Sequence, residues 1–314
     1  MTSFIAAVIA VCLVALFLPT FKELIMSTTY QSEIGTIKSL VLKHARDAFA
    51  SDAQITKQWQ ALKYHQPPDY SEAIAEFDCF ADLFRDSETD IHFLPADLSA
   101  TLDSIYVRDA AVVCNKGAIL CNMGKAARLT EPAAEENLFR QLGIPIVGKI
   151  TSDGKLEGGD CVWIDEKVLA VGRGYRSNDE GICQLKALLG DCVEQIIIVQ
   201  LPHYKGPSDV FHLMSIFSPL DKNKALVYSP LMPVAFREFL LDNGMEFIEV
   251  PEEEFASMAC NVLALAPGKC IMLEGNPKTQ NRLEKAGIEV YTYKGDEISR
   301  KGEGGPTCLT RPLL

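Results

Sequence analysis

The sequence predicts an α/β protein folded as a fivefold pseudo-symmetric propeller of ββαβ units. Four segments follow one plan, in which a β-hairpin is followed by a helix and then by a single strand. The segments recur about every 50 residues, a spacing typical of propellers, solenoids and similar arrays. The two ends of the chain can supply a fifth, less regular unit. Equivalent positions of such an array lie on one face, so polar residues at these positions are expected to converge on the central axis.

The four regular units contain the same three parts in the same order. Each hairpin reverses at a short polar segment, such as Asn115-Lys116-Gly117 or Pro267-Gly268-Lys269. The predicted ranges are 104–122, 159–174, 211–230 and 260–274 for the hairpins, 131–142, 179–189, 233–243 and 278–286 for the helices, and 144–150, 195–201, 246–250 and 288–293 for the closing strands.

The N-terminal unit is less regular. It contains a predicted strand at 37–43, helices at 52–62 and 70–85, and a strand at 91–94. Its first hairpin lacks an obvious second strand, and we expect the segment 307–313 from the other end of the chain to complete it. Because no linker rich in Pro, Gly or Ser divides residues 33–314, we expect them to form one domain.

Composition narrows the class of protein. The chain has 314 residues, 48% of them hydrophobic, and a formal net charge of −12. The absence of a Lys/Arg cluster argues against a nucleic-acid partner, whereas an acidic protein is compatible with a cationic small substrate. The ten cysteines include no CxxC pair, and several lie in apolar strands. They predict buried free thiols in a reducing compartment, the cytoplasm, and their spacing does not predict a metal site.

The N-terminus carries a continuous apolar run at residues 4–18. This is short for a membrane-spanning helix, which needs roughly 20 residues. Residues 1–25 therefore have three interpretations: a signal anchor, a cleaved signal, or a leader upstream of a start at Met26. If residues 1–25 are retained as an anchor, the protein would be tethered to a membrane.

Cys308 is the candidate nucleophile. It follows Gly304-Gly305-Pro306-Thr307, and a turn of this composition can hold the next side chain exposed at a site. A thiolate is the reactive form of cysteine, and basic residues nearby favour it. An isolated cysteine is more often an inert buried thiol, so the interpretation depends on the residues that accompany it.

Three further residues accompany Cys308. His212, at the entry to an apolar strand, can accept and return a proton near neutral pH, although a lone histidine is more often a hydrogen-bonded core residue. Glu157 precedes two glycines, which permit a close approach of the backbone to a ligand; a solvated strand-entry turn is the alternative. Asp109 is expected inside an apolar strand beside Arg108. Such a charged pair is costly unless it is used at a site or forms a structural ion pair.

These residues resemble the guanidine-modifying enzyme superfamily, the penteins, and within it most closely the dimethylarginine dimethylaminohydrolases. The resemblance covers residues 33–314. It implies a fivefold propeller with the active site in a central channel, a small guanidino amino acid as substrate, and no metal or organic cofactor. The matching segments are Glu33-Ile34-Gly35, 40–44, 103–113, Glu157-Gly158-Gly159-Asp160, Phe211-His212-Leu213 and Gly304-Gly305-Pro306-Thr307-Cys308.

The resemblance also implies a role for each residue. Cys308 matches the nucleophile, His212 the general acid and base, and Glu157 the carboxylate that binds the guanidinium and orients the histidine. Asp103 and Asp109 match the other substrate-binding acids. The arginines that hold the amino acid end of the substrate match Arg128 and Arg176, which without the resemblance would equally be solvated loop residues. The chemistry is consistent, because paired carboxylates fit the planar, permanently charged guanidinium.

The sequence departs from the dimethylarginine hydrolases at one place and follows them at another. Those enzymes usually carry Glu-Asp where this chain has Arg108-Asp109, a pair more like that of arginine deiminases. Arginine deiminases carry His-x-Asp at the histidine, whereas this chain has His212-Leu213-Met214. Arg108 would add positive charge near the site, so we expect it to favour a substrate with an extra carboxylate.

The sequence therefore predicts a hydrolase that converts a guanidino or N-methylated guanidino amino acid to a ureido product, citrulline if the substrate derives from arginine. Alternatives that remain open are an amidinotransferase, an arginine or agmatine deiminase, and a non-catalytic guanidine-binding protein. The sequence leaves the oligomeric state open, including a homo-oligomer.

Overall fold

Five small sheets form the framework of the protein. In this computed structural model, residues 31–85, 89–209 and 211–313 are described. Each sheet has three strands, with the orders β15-β1-β2, β3-β4-β5, β6-β7-β8, β9-β10-β11 and β12-β13-β14. The strands are β1 (Ser39–Leu42), β2 (Asp90–Phe93), β3 (Ala111–Cys114), β4 (Gly117–Leu120), β5 (Ile146–Lys149), β6 (Cys161–Trp163), β7 (Val168–Arg173), β8 (Gln195–Gln200), β9 (Phe217–Asp221), β10 (Lys224–Val227), β11 (Glu246–Glu249), β12 (Leu263–Ala266), β13 (Lys269–Leu273), β14 (Glu289–Tyr293) and β15 (Arg311–Pro312).

Each sheet repeats one pairing scheme. The first strand pairs antiparallel with the middle strand, and the middle strand pairs parallel with the third after a helical crossover. A short hairpin joins the first two strands in every sheet except β15-β1-β2. The α-helices are α1 (Ala45–Phe49), α2 (Asp52–Leu62), α3 (Tyr70–Arg85), α4 (Glu131–Gln141), α5 (Asp179–Leu189), α6 (Val234–Asp242), α7 (Glu252–Phe255) and α8 (Pro277–Lys285). The predicted ββαβ plan is therefore confirmed. The short helices α1 and α7 were not predicted.

The two ends of the described chain meet in one sheet. Leu40 pairs with Pro312 and Val41 with Arg311 in an antiparallel arrangement, and the Leu313 N–H donates to the carbonyl of Ser39 at 2.9 Å. The C-terminal segment thus completes the first hairpin, as predicted, although β15 is only two residues long. This pairing closes the ring of five units.

Helix α3 shows how a unit is attached to its neighbours. Its apolar face contains Phe77, Phe80 and Phe84, all fully buried. The Phe80 ring lies 5.3 Å from that of Phe84 in an edge-to-face arrangement and 4.8 Å from that of Tyr293, which ends the neighbouring sheet. Aromatic pairs of this geometry stabilise packing beyond their buried area. The helix therefore links the N-terminal unit to the unit that precedes it around the ring.

A short turn before the first strand of each unit carries the residues of chemical interest. Asp109 lies in a 3-10 turn at Val107–Ala110, so the prediction that it sits inside a strand was wrong, since β3 begins only at Ala111. The reason is that the backbone here bonds to other elements rather than to a sheet. The Arg108 N–H donates to the carbonyl of Cys308, and the carbonyl of Tyr106 accepts from the Arg128 side chain.

The same placement occurs in all five units. Glu157 precedes a 3-10 turn at Gly158–Asp160 that leads into β6, and His212 precedes another at Leu213–Ser215 that leads into β9. Asn261 lies two residues before β12, and Cys308 lies three residues before β15. The ring therefore brings one polar or nucleophilic side chain from each unit towards its axis.

Two predictions concern the thiols and the N-terminal segment. The nine cysteines within the described residues are all free, and those at 114, 121, 161, 260 and 270 are buried, as predicted. The apolar run at residues 4–18 lies outside the described residues. Within residues 31–85, 89–209 and 211–313, no helix combines the length and the apolar character needed to cross a membrane.

Candidate active site

A small cavity lies where the turns converge. It opens between the turn before β3, the loop that precedes α4 and the C-terminal glycine-rich loop. Most of the residues predicted from the sequence meet here, together with others that were not predicted. Its lining consists of Asp103, Tyr106, Asp109, Lys125, Arg128, Arg176, His212, Gly302, Glu303, Gly304 and Cys308.

Glu157 and His212 form the buried centre of the site. The Glu157 carboxylate is fully buried and its Oε2 lies 2.7 Å from His212 Nε2. The same oxygen accepts from Arg176 Nη1 at 3.0 Å, and Oε1 accepts from the backbone N–H of Lys125. Although burial alone would raise the pKa of Glu157, the hydrogen bond from His212 and the charge of Arg176 hold it well below its usual value. Glu157 is therefore ionised at neutral pH.

His212 is flanked by carboxylates on both ring nitrogens. Its Nδ1 lies 3.8 Å from Asp109 Oδ1, opposite the Nε2 contact with Glu157. Burial by itself lowers the pKa of His212, but the nearby charges of Asp109 and Asp160 and the hydrogen bond to Glu157 raise it to about 9. The histidine is therefore a protonated imidazolium near neutral pH and can donate a proton.

Asp109 is held by a second network. Its Oδ2 accepts from Arg128 Nη1 at 2.5 Å, and its Oδ1 accepts from the backbone N–H of Gly159 at 3.0 Å. Arg128 is itself buried, with its other donors directed to Glu131 and to the carbonyl of Tyr106. All three side-chain nitrogens of Arg128 thus donate to protein acceptors, and this fixes the orientation of Asp109.

Glycine is required beside these acids. A Cβ atom on Gly159 would lie 2.7 Å from both Asp109 Oδ1 and His212 Nδ1. Atoms cannot approach this closely without a shift of the backbone or of the site itself. The Gly158-Gly159 pair singled out in the sequence thus allows the turn to pass directly behind the acid and the histidine.

Asp160 supports the site without lining the cavity. It accepts from Ser177 Oγ at 2.6 Å and from the backbone N–H of Leu213 at 3.1 Å. Burial raises the pKa of Asp160 to about 6. By bonding to Leu213, Asp160 ties the turn that holds His212 to the turn that holds Glu157.

Cys308 is partly buried at the edge of the cavity. Its Sγ accepts from Asn261 Nδ2 at 3.1 Å. Burial and the charge of Asp109 raise the pKa of this thiol to about 11, whereas Asn261, the Gly305 backbone and Arg108 act in the opposite direction. A cationic ligand in the cavity would favour the thiolate further.

The remaining lining residues set the charge of the cavity mouth. Lys125 Nζ lies 2.6 Å from Asp103 Oδ2, so this predicted acid is paired and buried. Glu303 adopts a left-handed backbone conformation, with φ of 61°. A non-glycine residue with a positive φ is strained, and such residues cluster at functional sites. Neither Lys125 nor Glu303 was identified from the sequence, although Glu303 directly precedes the Gly304-Gly305-Pro306-Thr307-Cys308 segment. Their contacts, with Asp103 and His65 respectively, join segments that are distant in sequence.

Arg108 does not line this cavity. Its Nη1 lies 3.3 Å from Glu33 Oε2, and its Nε donates to the carbonyl of Thr307 at 3.1 Å. Its backbone N–H donates to the carbonyl of Cys308. The side chain is buried behind the loop that carries Cys308, outside the cavity lined by Asp109, His212 and Cys308.

One cluster has the spacing of metal ligands. Single atoms of Asp109, Glu157 and His212 all lie within 4.8 Å of one another. Arg128 and Arg176 already form ion pairs with the two carboxylates. The expectation that the site uses neither a metal nor an organic cofactor stays a prediction.

The family is shown by comparison with known proteins. A sequence model of the family described as N,N dimethylarginine dimethylhydrolase, eukaryotic, matches residues 44–314. The chain belongs to this family. The dimethylarginine dimethylaminohydrolase of Streptomyces coelicolor is 31% identical over 210 residues, which is 66% of this chain and 73% of that protein. The enzyme of the same name from Pseudomonas aeruginosa is 27% identical over 243 residues, which is 77% of this chain and 89% of that protein.

Solved structures of dimethylarginine dimethylaminohydrolases and related enzymes share the fold. A mutant of the Pseudomonas aeruginosa enzyme in complex with citrulline aligns with a TM-score of 0.69 at 23% identity, covering 88% of this chain and 98% of that chain. SxtG, an amidinotransferase from Microseira wollei, aligns with a TM-score of 0.74 at 15% identity, covering 92% of this chain and 97% of that chain. The predicted pentein propeller is therefore confirmed. Membership of the dimethylarginine dimethylaminohydrolase family also confirms the predicted class, a hydrolase that acts on C–N bonds of guanidino groups.

Proposed function

We propose that residues 33–314 form one catalytic domain that hydrolyses arginine or an N-methylated arginine to citrulline and ammonia or an amine. The observation that carries the proposal is the arrangement of Glu157, His212 and Cys308. A buried, ionised carboxylate holds an imidazolium, and a thiol lies on the wall of the same cavity. A small guanidino amino acid is the substrate class, in an enzyme of the cytoplasm.

The carboxylates of the site would bind the guanidinium. Asp109, Glu157 and Asp103 are acceptors in fixed positions, and a guanidinium presents its donors in a plane. In this structure Arg128 and Arg176 place their own guanidinium groups against Asp109 and Glu157. Both arginines would therefore have two roles: each orients an acid, and each supplies positive charge towards the amino acid end of the substrate.

The first chemical step would be attack by Cys308. The Sγ lone pair of the thiolate forms a bond to the central guanidinium carbon, which becomes tetrahedral. The C–N bond to the departing nitrogen then breaks, and His212 gives its proton to that nitrogen. The amine or ammonia leaves, and a covalent thiouronium remains on Cys308.

The second step would be hydrolysis of the thiouronium. Neutral His212 takes a proton from a water molecule, whose oxygen bonds to the same carbon. The C–S bond breaks, its electron pair returns to Sγ, and the remaining hydroxyl proton is released to solvent as the carbonyl of the ureido product forms. Glu157 keeps the imidazole oriented through both steps, and its hydrogen bond to Nε2 stabilises the protonated form that exists before the first step and again after the second.

Arg108 would act on the nucleophile rather than on the substrate. It bonds to the carbonyl groups of both Thr307 and Cys308 and contributes positive charge near the thiol. This placement argues for a positioning role. The arginine-deiminase-like pair Arg108-Asp109 nevertheless keeps arginine itself as a second candidate substrate beside the methylated forms.

Product analysis tests the proposal directly. The full-length protein is incubated separately with arginine, dimethylarginine and agmatine, and products are identified by mass spectrometry. We expect a ureido product from at least one of these guanidines and none from Cys308→Ala. Cys183→Ala is the matched control, because Cys183 is an exposed free cysteine on α5, and it should leave turnover unchanged.

Two outcomes would count against hydrolysis. A product that forms only when an amine is added would assign amidino transfer to the same thiouronium. Turnover that persists in Cys308→Ala would remove the proposed nucleophile. Trapping of a covalent adduct on the peptide that contains Cys308, after rapid acid quench, would support the two-step mechanism independently.

A further inference from the structure

The fifth position of the ring is occupied by a residue with no role in the mechanism above. Asp109, Glu157, His212 and Cys308 each lie just before the first strand of their units, and Asn261 lies at the corresponding place before β12. Four of the five equivalent positions thus hold residues of the proposed chemistry. The fifth equivalent position is that of Asn261.

The contacts of Asn261 are with the nucleophile loop. The side chain is buried, with 8% of its surface exposed. Its Oδ1 accepts the backbone N–H of Thr307 at 3.1 Å, and its Nδ2 donates to Cys308 Sγ, also at 3.1 Å. The backbone N–H of Thr307 needs an acceptor, so the amide atom that faces it must be Oδ1. The other amide atom, which faces the sulfur, is therefore Nδ2.

The surroundings leave the amide little freedom. A Cβ atom on Gly305 would lie 2.5 Å from Asn261 Oδ1, so the glycine-rich loop passes directly against the amide. The backbone N–H of Asn261 also bonds to the carbonyl of Met258 at 3.0 Å. Met258 has a φ of 62°, an unusual left-handed conformation for methionine. The loop on one side and the turn on the other therefore hold the Nδ2 donor at the sulfur.

We propose that Asn261 is a further catalytic residue, whose Nδ2–H donates to the Cys308 sulfur and stabilises it as the thiolate. The proposal rests on Cys308 being the nucleophile of the proposed function. An amide suits this role because it donates a hydrogen bond but does not exchange protons near neutral pH. It can therefore stabilise the attacking anion, and later the departing one, without neutralising it. Hydrogen bonds to a charged partner are stronger than those to a neutral one.

The decisive variant is Asn261→Asp. It keeps an oxygen for the Thr307 N–H and nearly the same shape, but it replaces the donor at Sγ with a carboxylate oxygen. A purely structural role for Asn261 would survive this change. A donor role would not, because a negative charge beside the sulfur disfavours the thiolate.

The readout is the rate of alkylation of Cys308 by iodoacetamide between pH 6 and 11, followed on its own peptide by mass spectrometry. Peptide resolution is needed because Cys79 and Cys183 are exposed and will react as well. We expect the pKa of the Cys308 thiol in Asn261→Asp to rise by about one unit or more. At any fixed pH below that pKa, alkylation of Cys308 should then be about tenfold slower than in the wild-type protein. In steady-state assays kcat should fall more than KM changes.

Asn276→Asp is the matched control. Asn276 lies in the same unit, is also buried, and bonds to Leu273 and Ser257 instead of the thiol. It should leave the alkylation profile of Cys308 unchanged whatever it does to stability. If Asn261→Asp fails to fold, Asn261→Ala gives the same test with the donor simply removed.

Alkylation needs no substrate, so its result is separate from the test of the proposed function. A wild-type pH profile of Cys308 alkylation in both Asn261 variants would overturn this inference even if the protein hydrolyses guanidines. A raised pKa of the thiol in Asn261→Asp, absent from Asn276→Asp, would support it.

Discussion

Glu157 and His212 share a 2.7 Å hydrogen bond between Oε2 and Nε2, and the surrounding units bury both side chains. This contact determines which form of the histidine the folded protein contains. With the Asp109 carboxylate 3.8 Å from the opposite nitrogen, His212 has a negative charge on each side, an arrangement that favours the imidazolium.

The pH dependence of turnover follows from this contact. The reactive form of the site combines the Cys308 thiolate with the His212 imidazolium. The pKa of His212 is about 9 and that of Cys308 is about 11, so the histidine loses its proton before the thiol does. The pair is therefore a minority species whose amount is greatest at about pH 10. We expect kcat/KM, measured from pH 6 to 11, to peak on this alkaline side. The kcat profile should shift towards lower pH, since a bound guanidinium favours the thiolate. A kcat/KM maximum at or below pH 7 would contradict this assignment.

Replacement of Glu157 by glutamine should disable the histidine without removing it. Glu157→Gln leaves an amide beside Nε2, so the imidazolium loses a charged partner and its pKa falls. We expect kcat to drop at least about 10²-fold, the usual contribution of an oriented acid and base. Glu136→Gln is the control, because Glu136 pairs with Arg140 and Lys149 near the surface. Similar kcat values for the two variants would show that Glu157 has no role in turnover.

Arg128 should contribute strongly to stability. Arg128→Met leaves Asp109 and Glu131 buried without their common partner, and removal of one member of a buried ion pair typically costs about 3–5 kcal/mol. Denaturant titration should show this loss. Arg140→Met, which breaks an exposed pair with Glu136, should change the free energy of unfolding by about 0.5 kcal/mol or less. Equal losses in the two variants would mean that the Arg128 network is not preserved in solution.

Closure of the ring can be tested through Leu313. This side chain is buried in the cluster that includes Val41 and Val113, and its N–H bonds to Ser39. Leu313→Ala should reduce the free energy of unfolding by about 2–5 kcal/mol. Leu241→Ala, at a position that is 43% exposed on α6, is the matched control and should cost far less. A negligible effect at Leu313 would indicate that the C-terminal strand is not docked.

Protonation of His212 should also couple stability to pH. Its pKa in the folded protein, about 9, lies above the ordinary value of 6.5, so its contribution is complete below about pH 6.5 and is lost as pH rises through 9. The wild-type protein should therefore lose on the order of 1–3 kcal/mol between pH 6.5 and 9.5. His212→Gln should lose less over the same interval in paired thermal or denaturant unfolding. An identical pH dependence in the two proteins would exclude this coupling.

Much of the framework was predictable from local sequence. The helices at 52–62, 70–85 and 179–189 have the predicted bounds, because amphipathic periodicity and clear end signals specify them locally. The pairing of β1 with β15 was also predicted, since an unpaired hairpin strand at one end required a partner at the other. The short helix α1, only five residues long, gave no comparable periodicity.

The site was only partly predictable, because its contacts depend on packing between distant units. The sequence indicated Glu157, His212, Asp109 and Cys308 but could not show that Arg128 and Arg176 bind two of these acids. It also placed Arg108 at the substrate, whereas long-range contacts with Glu33 and Thr307 hold it behind the loop. Asn261 was missed, although its place in the repeat was a usable signal. Recognising it required knowing that the other four units each contribute one residue from the same turn.

The placement of one residue in each unit has a consequence for partial unfolding. No two of Asp109, Glu157, His212, Asn261 and Cys308 belong to the same sheet unit, so their separations are set by the packing between units. Transient opening of any single unit would separate one of them from all the others. Amide hydrogen exchange in any one of these five turns should therefore report an opening that disassembles the site, and the fraction of molecules able to react at any moment should equal the fraction in which the whole ring is closed.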